Sequence, residues 1–374
     1  MAIFLAHAGP TVGALAADTG GSGAARLTWL GAVNPALLAV GNVAAHLFFT
    51  LSGYWIIGQL AAEKAQTGRV AIGRFWAGRA TRLLPLYGAG LLIGFGLEPL
   101  LAAARHLSVA EPARLAYYAF GLANFDKLRI QPNSWVLAEL WAIAVIGQFA
   151  ALAPLLVSAV PRRWLAPALG AVVVVSLGFQ ALHSGERLVL KLHSAAVFTD
   201  FAIGGLAALA VRHGPQPGPA GGLPGVRATG WGLALGLLAL GLALSPLRLA
   251  LLATPATAWL ARLAVSGGLA LMLVSLGRGA ATPLWPLAPG QRGLELGQWA
   301  RLGQLSYGLY ALHPIALEVV AEFVRALPAA ALPGAALALV PLTGLALTLG
   351  LAVASERWLE RPLRRLGPRP FSRE

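Results

Sequence analysis

The sequence contains no cysteine. That excludes disulfides, thiolate nucleophiles and cysteine-based metal sites, so covalent catalysis through sulfur is impossible. Charge is also scarce: 11% of the 374 residues are Asp, Glu, Lys or Arg, against roughly 25% in a soluble domain. No polar block is long enough to fold as a separate soluble unit. What fills the chain is apolar, with 57% hydrophobic residues and a mean hydropathy of +0.72. Apolar runs of about 20 residues, the length that crosses a bilayer, recur from one end to the other. The composition is that of an integral membrane protein, read as a single membrane-embedded domain over residues 1–374.

A formal net charge of +14 raises nucleic acid as a partner. The basic residues, however, fall in short stretches between apolar runs rather than on one polar face. No nucleic-acid partner is expected; these residues follow the positive-inside rule and face anionic membrane lipids.

The expected fold class is all-α, a polytopic transmembrane helical bundle. An open sheet cannot satisfy its backbone in hydrocarbon, and the strict alternation of a barrel strand is nowhere visible. The apolar runs place about ten spans, at roughly 1–17, 36–60, 80–104, 133–159, 164–183, 193–213, 228–246, 254–277, 301–326 and 329–355. Lys64, Arg69, Arg74, Arg79 and Arg82 are assigned to the loop after the second span, and basic residues recur after every second span through Arg364 and Arg365. That pattern puts both termini in the cytoplasm. It is self-consistent only if the weakly apolar piece Leu115–Phe125 does not cross. The opening "MAIFLAHAGP" lacks a basic lead-in, so a cleaved signal peptide is not expected.

Ionisable groups within spans cost roughly 2.5–3.5 kcal/mol each to insert, so each is a candidate site residue by default. They are His7, His46, Glu139, Asp200, His313 and Glu318. Each also has a plainer reading, in which a polar side chain hydrogen-bonds a neighbouring helix.

Four stretches occur in order: "HLFFTLSGYWI" (His46–Ile56), "FWAGRATRLLPLY" (Phe75–Tyr87), "SYGLYALHPI" (Ser306–Ile315) and "SERWLERPLRRL" (Ser355–Leu366). Together they resemble the membrane acyltransferase family 3, bacterial proteins that O-acylate surface and secreted carbohydrates. The resemblance implies an enzyme of the bacterial cytoplasmic (inner) membrane. Its donor would be acetyl-CoA or another acyl-CoA, its acceptor a glycan or lipid-linked sugar, and no metal would take part. It also implies a catalytic histidine in the first helix, a place that His7 matches. An imidazole with an ordinary pKa near 6.5 is a suitable general base toward a sugar hydroxyl.

Arg79 and Arg82, three apart and so on one helix face, suit the phosphates of the CoA donor, because guanidinium grips phosphate bidentately. The alternative is a membrane-surface anchor. Ser52 and Tyr54 belong to the implied donor site, with Phe48 and Phe49 as tunnel walls; the Ser52-Gly53 step also serves close approach of another helix. His46, Glu139, Asp200 and His313 are candidate substrate contacts. His313 precedes Pro314, which weakens its helix by removing a backbone donor.

Three departures stand out. The family's arginine eleven residues before the histidine has no counterpart in this sequence. In "WAIAVIGQFAALAPLL" (Trp141–Leu156), Ile146 occupies the position of the family's acid, while Glu139 lies seven residues earlier on the same helical face. Asp200 lacks the arginine that usually precedes it, with Val197 and Phe198 there instead. A transporter of an amphiphilic sugar and a catalytically inactive relative are the competing readings.

Overall fold

In the computed structural model, residues 2–18, 28–104, 112–132, 134–213, 258–278, 292–327 and 339–365 are described. Every regular element among them is helical. In chain order these are α1 (Ala2–Asp18), α2 (Thr28–Thr67), α3 (Ile72–Leu92), a wide π-turn (Ile93–Leu97) leading into α4 (Glu98–Ala104), α5 (Leu115–Ala119), α6 (Ala123–Ile130) and α7 (Leu140–Ala159). Then follow α8 (Leu165–Leu182), α9 (Arg187–Leu192), α10 (Ser194–His213), α11 (Ala258–Arg278), α12 (Arg292–Arg325), α13 (Val340–Ser355), a second π-turn (Glu356–Glu360) and α14 (Arg361–Arg364).

Among the described residues, six helices are long and apolar enough to cross a membrane by length and composition, and Ile3–Leu15 and Arg262–Ser275 are shorter apolar helices. The expected spans thus meet helices in the described residues, except 228–246, which lies outside them. Leu115–Phe125 does not cross: α5 and α6 have five and eight residues, broken at Gly121 with φ +67°. They fold onto the bundle, burying Tyr118, Asn124 and Asp126 completely.

The boundaries after the second span differ from expectation. The connection is only Gly68–Ala71, with Lys64 inside α2 and Arg74, Arg79 and Arg82 inside α3. Hydropathy marks where hydrocarbon ends rather than where the helix does, and Lys and Arg are good helix formers whose stems run along apolar surface.

Helix α10 packs closely against α2, and glycines explain how. A Cβ on Gly204 would stand 1.9 Å from the Thr50 carbonyl oxygen, and one on Gly53 2.1 Å from that of Phe201. The two backbones therefore touch where no side chain intervenes, the arrangement that small residues permit between membrane helices. Around this seam the Phe201 ring meets Phe49 and Phe149 with centroids 5.3 and 4.5 Å apart. Asp200 lies in the same seam, fully buried. It is not alone: His46 Nδ1 is 2.9 Å from Oδ2, Ser266 donates to Oδ1 at 2.6 Å, and Arg262 Nε lies 3.8 Å from Oδ2. The arginine missing before Asp200 in sequence is supplied from α11.

Candidate functional site

Proline positions shape the local backbone here. Pro314 in α12 cannot donate to the carbonyl of Tyr310, four residues back. His313 fills that vacancy, its Nδ1 lying 2.5 Å from the Tyr310 oxygen. A carbonyl only accepts, so Nδ1 carries the proton and Nε2 the lone pair. The ring is 1% exposed, and Nε2 has no hydrogen-bond partner among the described residues.

Helix α1 delivers His7 to the same place. The His7 and His313 ring centroids are 5.0 Å apart, and His7 Nε2 lies 3.5 Å from Oε2 of Glu139, the residue immediately before α7. The other carboxylate oxygen, Oε1, is 3.6 Å from Lys127 Nζ. Lys127 also donates to the Ala138 carbonyl and holds its ammonium 5.9 Å above the Trp141 ring. Burial lowers the Lys127 pKa from its ordinary value, against the opposing pull of Glu139. Tyr310 donates to the Glu139 carbonyl at 2.8 Å, fixing α12 to the start of α7.

His7, Glu139 and Tyr310 border a cavity of about 80 Å³, whose lining also includes Phe48, Phe49 and Lys191 but neither His313 nor Lys127. Phe48 stacks on Tyr310 with centroids 5.9 Å apart and planes at 22°. On this measure one water needs roughly 10–15 Å³, so the space holds a few waters or a short acyl group.

The remaining candidate residues lie elsewhere. His46 and Asp200 face each other in the α2–α10 seam. Ser52 returns its hydroxyl to the Phe48 carbonyl at 2.8 Å, and Tyr54 packs edge-on against Trp55. Neither lines the cavity. Glu318 pairs with Arg325 at 3.1 Å. Ile146 is buried in the apolar core, so α7 brings to the cavity not the family's acid position but Glu139.

The basic residues divide into two groups. Lys64 donates to the carbonyls of Val157, Ser158 and Val160 at 2.7, 2.9 and 2.8 Å, capping the end of α7. Arg74 pairs with buried Glu63. Arg79 and Arg82 have no ion pair among the described residues; Arg79 leans on Phe75, 5.2 Å from its ring centre. Tyr307 donates to the Leu83 carbonyl at 2.7 Å. Tyr307 and Tyr310 are about 4.5 Å apart along α12, so the stretch bearing Arg82 is fixed about one turn from the cavity. Neither arginine lines it.

Beyond α13, Glu356 pairs with Arg364. The π-turn carries Glu360 inward to 2% exposure, where Ser355 donates to it at 3.1 Å. Sequence reasoning did not single out Lys127, Lys191 or Tyr310 for the site, or Arg262 for the seam. The Tyr310 motif was visible, but nothing marked which of its side chains turns toward His7.

The family model described as an acyltransferase domain, that of acyltransferase family 3, matches residues 1–355. No curated protein and no solved structure matches the chain.

Proposed function

The chain belongs to acyltransferase family 3, and from that premise we propose that it is a membrane O-acyltransferase moving a short acyl group, acetyl, from acyl-CoA to a hydroxyl of a cell-surface glycan or lipid-linked sugar. The observation that carries this reading is the facing pair His7 and Glu139, 3.5 Å apart at the edge of a small aromatic-walled cavity.

In the proposed step the carboxylate holds the Nε2 edge of His7, and Nδ1 takes the proton of the acceptor hydroxyl. The hydroxyl oxygen bonds to the thioester carbonyl carbon, the carbon–sulfur bond breaks, and the departing CoA thiolate recovers the proton from His7. Glu139 favours the imidazolium that forms in between. Atoms and protons balance without an acyl-enzyme. The cavity's size favours acetyl over a long chain. Arg79 and Arg82, without an ion pair among the described residues, suit the donor's phosphates. The site belongs to a protein of the bacterial inner membrane on this reading.

The test is transfer itself. Purified protein is incubated with [¹⁴C]acetyl-CoA and an envelope glycan fraction, and label is followed into alkali-labile ester. Ester formation that depends on the protein is the expected result. A protein that moves intact acylated sugar across vesicles without ester formation would replace this reading with transport.

A further inference from the structure

His313 has no part in the acyl transfer just described, yet it is more completely buried than His7 or Glu139 beside it. A buried acceptor without a partner is destabilising, and no atom of the described residues meets the need of its Nε2. The donor atoms of His7, Glu139 and His313 all lie within 4.8 Å of one another. Tetrahedral bonds of about 2.1 Å place neighbouring ligand atoms about 3.4 Å apart. His7 Nε2 and Glu139 Oε2 already stand at 3.5 Å. The third ligand, within 4.8 Å of the other two, needs a closure of at most about 1.4 Å to reach that spacing.

We propose that His7, Glu139 and His313 form a binding site for one divalent transition-metal ion of the Zn²⁺ or Co²⁺ class. Two imidazoles and a carboxylate are a ligand set that such ions take with a fourth position left open. The outer contacts fit as well. Metal-binding histidines hold their second ring nitrogen on a carbonyl or carboxylate, and the Tyr310 carbonyl does this for His313.

Lys127 and Lys191 decide which cations enter. Lys127 sits on the far carboxylate oxygen, Oε1, and Lys191 is on the cavity wall. Both repel a cation bound by charge alone, which disfavours Mg²⁺ and Ca²⁺. Imidazole donors keep the site open to late transition metals. The site does not rest on the acyl-transfer reading, and it excludes it in time: a bound ion takes His7 Nε2 and the carboxylate that orients the ring. Metal-loaded protein is therefore held inactive.

The experiment uses the full-length protein in detergent, free of any histidine tag and stripped with chelator. Co²⁺ is titrated in while visible absorption is recorded, and bound metal is counted by mass spectrometry after desalting. The expected result is one Co²⁺ per chain with a tetrahedral-type spectrum, displaced by Zn²⁺. His313→Ala should lose the spectrum while keeping wild-type helical circular dichroism and elution volume, and His183→Ala should keep it. Glu139→Gln provides a second ligand deletion if His313→Ala does not fold. Absence of a stoichiometric spectrum, or its persistence in both ligand variants, overturns the site. The inhibition is read separately: Zn²⁺ should abolish transfer in the wild type. Binding with unchanged or raised transfer overturns the claimed exclusion, and with it the role of His7 as base, while leaving the metal site standing.

Discussion

Replacing Asp200 by Asn keeps the side chain's shape and removes the negative charge that faces Arg262 in the α2–α10–α11 seam. Asp200 is fully buried, and Arg262 is 6% exposed. In the variant Arg262 keeps two backbone acceptors, the carbonyls of Ala196 at 2.7 Å and Leu190 at 2.6 Å, but no counter-charge within the seam. Breaking a buried pair from one side costs about 3–5 kcal/mol, because a bare charge remains. For a chain of 374 residues that is a fall of roughly 4–6 °C in melting midpoint. Removing both charges is a different matter: neutral replacement of a buried pair is often nearly free. Asp200→Asn with Arg262→Met should therefore melt above Asp200→Asn alone. The assay is thermal unfolding in detergent, followed by the monodisperse fraction on size exclusion. A single variant as stable as the wild type, or a double variant no better than the single, would refute the charge argument.

Three other outcomes are expected. Gly204→Ala puts a methyl group 1.9 Å from the Thr50 oxygen, where ordinary contact begins at 3.4 Å; α2 and α10 must part by about 1.5 Å, and the same melting assay should show a loss of about 1–3 kcal/mol. Burial raises the Glu360 pKa above the ordinary carboxylate value, and neighbouring Glu356 adds to it. The native state therefore holds that proton to higher pH than the unfolded chain does, so this group's contribution is full below the ordinary carboxylate pKa and is lost as pH rises through the raised one. Melting midpoints measured from pH 4 to 8 should fall less for Glu360→Gln than for the wild type. Arg79→Gln and Arg82→Gln should each raise KM for acyl-CoA by roughly 10–100-fold, the worth of a charged hydrogen bond, with little change toward a dephosphorylated, truncated thioester donor; equal effects on both donors would dismiss the arginines as phosphate contacts.

Helix existence was legible because hydrocarbon imposes it: a run such as Leu140–Ala159 has few ways to satisfy its backbone in lipid except as a helix. Helix ends were less so. Arg74, Arg79 and Arg82 continue α3 below the apolar run, and composition carries no mark of that. The HP dipeptide told more than its length suggests, since Pro314 frees the Tyr310 carbonyl that His313 then takes. The meeting of His7, Glu139 and His313 left no trace in spacing, because they come from three helices separated by more than a hundred residues each. Asp200 teaches the same lesson. Read along the chain it looks unpaired, and the arginine that answers it stands on another helix 62 positions later. Local sequence reports which groups are costly to bury; only tertiary packing reports who offsets that cost.

The most direct measurement is the single-turnover rate of acetyl transfer by His7→Gln beside the wild type, with both proteins shown to insert and elute alike and both saturated with donor and acceptor. With the imidazole as general base, the rate should fall by roughly 10²–10⁴-fold while donor affinity stays within experimental error. Transfer at the wild-type rate from a protein without that ring would contradict the account.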